Sequence, residues 1–254
     1  SNPNLKEKQI SEISLSDLSA LQPVDFEEFE DYLKVYQTPD GRTETNSRVG
    51  IARKLSCLRS FYEYLCKRQL LSENPVRLID MPRLKEKAII QLDPDEIAAL
   101  LDYMENYGNG LTGVQLYHYN KQKYRDIAIV TLLLGTGIRV SECVGLNISD
   151  VDFKNNGIRV LRKCGNEMVV YFGLEVEAAL KDYLELSRNK ITPLSGHENA
   201  LFLSGQRKRI SVDAVEKMVK KYSSAISVKT ITPHKLRSTY GTALYRETGD
   251  IYLV

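Results

Sequence analysis

The sequence predicts a mainly helical protein with one small β-sheet, divided into a small all-helical N-terminal domain and a larger mixed α/β domain. Three observations carry this. Between residues 47 and 70, apolar side chains recur at intervals of three and four, the mark of a helix with one buried stripe. Residues 81–87, Met-Pro-Arg-Leu-Lys-Glu-Lys, are charged, contain proline and have no periodicity, as a boundary should. Beyond them a run apolar nearly all round, residues 126–134, precedes two β-prone segments, 158–161 and 168–172.

Taken in order, residues 15–36 read as one or two short helices, with Phe26, Phe29, Tyr32 and Leu33 at helical spacing. Thr38-Pro39-Asp40-Gly41 is turn chemistry. In the helix over 47–70, Ile51, Leu55, Leu58, Tyr62 and Leu65 form the stripe; Arg48 and Arg59 share one flank of it and Arg53 points away. These features place one domain at 1–81, a linker at 82–91 and a second domain at 92–254. The second domain opens on Asp93-Pro94-Asp95-Glu96, acidic residues suited to a helix N-terminus, and that helix runs to about Tyr103. Residues 105–123, polar and rich in Asn, Gly and Tyr, read as a loop. The run 126–134 should be a central core helix, and 158–161 with 168–172 a hairpin around Arg-Lys-Cys-Gly-Asn-Glu. Residues 175–188 and 211–224 read as helices. Thr232-Pro233 starts a last one, with Thr as N-cap and Pro at the first helical position, stopped by Thr-Gly-Asp after Glu247.

Composition excludes several classes. Four scattered cysteines without a C-x-x-C pair argue against a disulfide framework or structural zinc, and fit a reducing cytoplasm. No apolar run approaches a membrane span, and no signal-peptide pattern opens the chain. With only three histidines, and neither His118 nor His197 near a carboxylate cluster, a metal-dependent nuclease fares poorly. The net charge of +2 conceals strong patterning. Residues 1–41 hold 3 basic and 9 acidic side chains, residues 42–88 hold 11 and 5, and residues 206–237 hold 9 and 2. Two basic blocks suggest surfaces for a polyanion, because each phosphate neutralised releases a condensed counterion.

Three features could carry chemistry. Gly135-Thr136-Gly137-Ile138-Arg139-Val140-Ser141-Glu142 places an arginine just after a glycine turn that ends the buried helix. Lys163 sits in the hairpin turn. His234 and Arg237, three apart in the last helix, share a face. Singly, such residues are commonly capping, solvated or surface groups.

In this order and context they resemble the catalytic domain of the tyrosine recombinases, the phage-integrase family. The resemblance spans about residues 90–254; residues 126–146 look like the family's first conserved box and 232–240 like its second. Upstream, Ile51 to Ser56 and Phe61 to Leu65 are similar to the helical core-binding domain. Integrases of conjugative transposons are the most similar subgroup. The resemblance implies site-specific recombination that integrates or excises a mobile element: a tyrosine attacks a DNA phosphodiester, leaving a 3′-phosphotyrosyl link and a free 5′-hydroxyl. The bond energy is retained, so neither cofactor nor metal is implied. By resemblance Arg139 and Arg237 grip the non-bridging oxygens, Lys163 protonates the leaving oxygen, and His234 assists proton transfer or orients the phosphate. Glu142 would brace Arg139. Arg48, Arg53, Lys54 and Arg59 are the candidates for groove contacts, the two domains forming a clamp around double-stranded DNA. The family also implies self-association on DNA as a synaptic tetramer, a possible accessory excision protein, no membrane partner, and a bacterial cytoplasmic setting.

The family's second His or Trp and its nucleophilic Tyr lie downstream of the second arginine, beyond where this sequence stops at Val254. None of the fifteen tyrosines is therefore nominated as nucleophile, and the sequence reads as a C-terminally truncated, cleavage-incompetent piece of an enzyme. The competing reading is a non-catalytic, sequence-specific DNA-binding protein derived from a recombinase.

Overall fold

The computed structural model describes residues 8–84, 91–162, 165–226 and 231–250. The chain divides into two compact units, residues 1–87 and 88–254.

In the first unit, helix α1 (Leu15–Ser19) is started by Ser14, whose hydroxyl accepts the Asp17 N–H at 3.3 Å while Asp17 accepts the Ser14 N–H at 2.9 Å. Helix α2 (Pro23–Lys34) and the 20-residue α3 (Arg48–Lys67) carry the core. Ile51, Leu55, Tyr62 and Leu65 are buried along α3, with Phe26 edge-on to the Tyr62 ring at 5.5 Å. The Tyr62 hydroxyl, carried inside by its ring, donates to Leu18 O at 3.1 Å.

The unit is not all-helical. Strands β1 (Val35–Gln37) and β2 (Thr43–Thr45) form an antiparallel hairpin, Val35 facing Thr45, around the turn read at Thr38–Gly41. Three-residue strands with both faces largely solvated have no hydrophobic alternation to announce them. Arg59 also departs from expectation. It is half-buried, its Nε and Nη2 donating to Val76 O and its Nη2 to Ile79 O at 3.1–3.2 Å. Those bonds close the segment after α3 onto the helix, so Arg59 is a structural strut rather than a groove-facing cation.

In the second unit α4 (Pro94–Asn106) begins as expected, the Asp93 N–H donating to Glu96 Oε2 at 3.0 Å. The residues read as a loop do not form one throughout. Helix α5 spans Gly113–Thr136, so 113–123 are helical. This polar first half is held by Tyr119, whose hydroxyl donates to Met104 O at 2.9 Å, and the helix then enters the core, where Ala128, Ile129, Leu132 and Leu133 are fully enclosed. Tertiary packing of one tyrosine outweighs the Asn/Gly-rich composition.

A short helix α6 (Val140–Gly145) follows, then a three-stranded antiparallel sheet of β3 (Val151–Asp152), β4 (Gly157–Leu161) and β5 (Glu167–Tyr171) in that order. β4 and β5 pair from Gly157↔Tyr171 to Leu161↔Glu167. The two-residue β3 is too short to show in the sequence. Helices α7 (Leu174–Leu186), α8 (Val212–Ile226) and α9 (Pro233–Thr248) complete the unit. Thr232 precedes α9 in extended conformation but its hydroxyl makes no capping bond, while Gly249 ends the helix at φ +67°. Among the described residues no helix is long and apolar enough to cross a membrane.

Buried polar groups pin the elements around α5. Arg125 and Asp126 form an enclosed ion pair at 2.6 Å; Arg125 Nη1 donates to Leu203 O, and the Tyr222 hydroxyl on α8 donates to Asp126 Oδ2. Arg188 and Arg209 likewise give their N–H groups to carbonyls, Arg209 to Val144, Gly145 and Leu146 at the end of α6. One of the cations counted in the second basic block is thus spent internally.

Burial pushes the Cys143 thiol up from 9.0 to about 12, and the Tyr62 hydroxyl to about 12; Tyr183 and Tyr222 rise for the same reason. The unfolded chain releases these protons at ordinary values while the folded chain keeps them. Stability should therefore hold below about pH 9 and fall as pH rises toward 12, by ~1.4 kcal/mol per pH unit for each group in its window. Urea midpoints at about pH 8 and about pH 10.5 check this; equal midpoints would refute it.

Candidate functional site

The site is organised by the break between α5 and α6. Helix α5 ends at Gly137 in the left-handed conformation, φ +59°, its N–H donating to Leu133 O at 3.1 Å. A Cβ at Gly137 would lie 2.3 Å from the Tyr240 ring, so the turn and α9 meet at a distance that only glycine permits. Ile138, buried, anchors the next residue, and Arg139 follows in extended conformation as the N-cap of α6.

Glu142 fixes Arg139 at both ends. Its Oε2 accepts the Arg139 backbone N–H at 2.7 Å, and its Oε1 accepts Arg139 Nη1 at 2.9 Å. The carboxylate is 5% exposed and the arginine side chain 45%, so one partner is rigid and the other presents free N–H groups to solvent. Arg237 approaches from α9, placed by the fully buried Leu236, and its Nη1 donates to Gly137 O. Burial, and next the positive charge of Arg139, hold the Arg237 guanidinium below its ordinary proton affinity; Glu142 opposes the shift and Arg162 adds to it. Arg139 and Arg237 therefore meet at the glycine turn although 98 positions separate them in sequence (237 less 139).

His234 is exposed at the start of α9 and lines a cavity of about 590 Å³ together with Arg237, Arg162, Tyr240 and Tyr245. Lys163 lies outside the described residues. On the first unit, Arg48, Arg53 and Lys54 are exposed on α3; Lys54 Nζ donates to Asn46 Oδ1 at 3.0 Å and stands 5.7 Å from the Tyr36 ring centre. Arg59 is not with them. Two features were missed in the sequence. Arg162 precedes Lys163 directly, a position that could have drawn attention to it. The other is Tyr240, whose ring is the surface against which Gly137 packs.

A model of the phage integrase family matches residues 91–254. The tyrosine recombinase XerS of Streptococcus agalactiae is 34% identical over 266 residues, covering 96% of this chain and 74% of that protein. XerS of Streptococcus pneumoniae is 34% identical over 267 residues, with 97% and 74% covered. Among solved structures, XerA recombinase superposes with a TM-score of 0.54 at 26% identity, over 92% of this chain and 73% of that one. The Tn1549 transposon integrase, solved in complex with circular intermediate DNA, gives 0.66 at 21% identity, over 97% and 79%, a likeness of fold. The fold and these relatives define a DNA strand-exchange enzyme class. The chain belongs to the phage integrase family, the tyrosine recombinases, whose reaction is site-specific recombination of DNA.

The glycine turn yields a test. Gly137→Ala should destabilise the second unit by ~1–2 kcal/mol from the left-handed backbone alone, and by more because the Tyr240 ring must move. Adding Tyr240→Ala should remove the steric part and leave the backbone part, read by urea denaturation. A neutral Gly137→Ala would show that the turn is not constrained as described.

Proposed function

We propose that Arg139, Arg237 and His234, with Lys163 supplied by the β4–β5 hairpin, form the phosphate site at which this recombinase cleaves and rejoins a DNA strand. The observation that supports this most is the meeting of Arg139 and Arg237 at one glycine turn, both half-exposed and backed by a buried carboxylate. A phosphodiester under attack gathers charge on its non-bridging oxygens. Two forked guanidiniums already in place stabilise that charge with little reorganisation. Lysine could supply the charge without the fork. In this reading a tyrosine forms the covalent 3′ link, the liberated 5′-oxygen takes its proton from Lys163, and His234 orients the phosphate or assists proton transfer. The nucleophile is not assigned to a residue of this chain; Tyr240 serves the glycine turn.

The remaining parts follow from the same chemistry. The substrate is double-stranded DNA, met by Arg48, Arg53 and Lys54 on α3 and by the basic residues of the second unit, so that both units grip one duplex as a clamp. Exchange requires two duplexes cut in concert, hence self-association on DNA. The setting is the cytoplasm, and the natural task is integration or excision of a mobile element.

Fluorescence anisotropy of the 254-residue chain with labelled duplex tests the binding half. The plot of log affinity against log salt should fall with a slope of about −0.9 for each phosphate neutralised. A flat response would remove the clamp. Arg139→Lys should leave binding within a few-fold while strand cleavage by the native-length protein drops by roughly two or more orders of magnitude. Loss of the folded protein in that variant would instead make Arg139 structural.

A further inference from the structure

Arg162 is the first residue after β4, and its backbone closes the hairpin turn: its N–H donates to Asn166 O at 2.8 Å and its carbonyl accepts the Gly165 N–H at 3.2 Å. The side chain turns into the cavity shared by His234 and Arg237. There its Nε is buried and has no hydrogen-bond partner among the described residues. Other arginines of this unit with buried or half-buried side chains behave differently. Arg125 pairs with Asp126, Arg188 donates to the carbonyls of Glu198 and Ala200, and Arg209 donates to three carbonyls and to Asn147 Oδ1. Among the described residues, no aspartate or glutamate lines the cavity that Arg162 enters. A buried, unsatisfied cationic donor is costly, and such groups persist where something outside the free protein satisfies them.

We propose that Arg162 is a third phosphate-binding arginine of this recombinase, donating from its guanidinium to a non-bridging oxygen of the DNA strand that enters the cavity. This rests on the reading of Arg139 and Arg237 as phosphate ligands. The charge balance favours an anion there. Three guanidiniums, Arg139, Arg162 and Arg237, stand against the one carboxylate of Glu142, and the two that neighbour Arg237 both lower its hold on its proton. A monoanionic phosphodiester relieves part of that repulsion, and the more highly charged pentavalent state relieves more. Position adds a further consequence. Arg162 precedes Lys163 in the hairpin, so a phosphate held by Arg162 would tie the turn that carries Lys163 to the strand being cut.

The test uses the 254-residue chain and a duplex that the chain itself selects from a random pool. Arg162→Gln should weaken binding about tenfold at physiological salt and make the log–log salt slope shallower by about 0.9, with the thermal unfolding midpoint not lowered; Arg162→Lys should restore the slope. In the unsubstituted chain, the Arg162 Nε–H resonance, identified by its loss in Arg162→Lys, should shift when duplex is added, a readout independent of whether the Gln variant folds. If Arg139→Gln and Arg237→Gln make the slope shallower while Arg162→Gln and the resonance are unmoved, this proposal fails and the two-arginine reading stands. If none of the three substitutions changes the slope, both fail together.

Discussion

Everything at the site depends on one hydrogen bond across one turn, Arg237 to the carbonyl of Gly137. It can form only because α5 stops there in a left-handed conformation and because nothing projects from Cα toward Tyr240. A side chain would force α9 away from the turn and carry His234 and Arg237 with it. The same turn delivers Arg139 to the N-terminus of α6, where Glu142 takes hold of it. One backbone conformation thus fixes two arginines from distant stretches of the unit, which explains why the glycine belongs to the site although it touches no substrate in any reading.

The turn in turn requires a rigid helix before it. α5 is surrounded by apolar side chains over its second half, but apolar packing alone does not set a rotation. The enclosed Arg125–Asp126 pair does: it reaches Leu203 on one side and Tyr222 of α8 on the other, so sliding or turning α5 would break bonds that water cannot replace. Arg209 does the same for the far end of α6 by gathering three of its carbonyls. Stabilising polar contacts are therefore concentrated where position matters, on the two helices that flank the turn.

This division accounts for what could be read from the amino-acid order and what could not. Helix α3 with its apolar stripe and the buried half of α5, apolar nearly all round, were legible, as were the hairpin and the proline-led start of α9. Residues 113–123 were not, because their helicity comes from Tyr119 bonding to a carbonyl of another helix, a contact between distant segments. Strands of two or three residues leave no period to detect. Among the cations, the sequence offered Arg59 with Arg53 as groove contacts and counted Arg209 in a basic block; the fold separates them by what carbonyls come within reach. Arg139, His234 and Arg237 were named because their pattern resembles a known family, not because their spacing revealed that they meet. Arg162 has no such pattern; apart from its place directly before Lys163, it is the cavity that draws attention to it.

The electrostatics of the free protein point the same way as the geometry. Elsewhere in this unit guanidiniums are satisfied internally, Arg125 by a carboxylate and Arg188 and Arg209 by backbone carbonyls. Around the turn, among the described residues, the protein supplies Glu142 alone, and that carboxylate is committed to Arg139 and to the start of α6. The remaining positive charge is left partly desolvated, and Arg237 registers it as a weakened hold on its proton. Burial that costs stability in the free chain is what makes the field strong when an anion arrives, because the same exclusion of water that penalises the cations magnifies their attraction for it. On the proposed reading, the cost of that burial in the free chain and the capacity to hold a phosphate are one property.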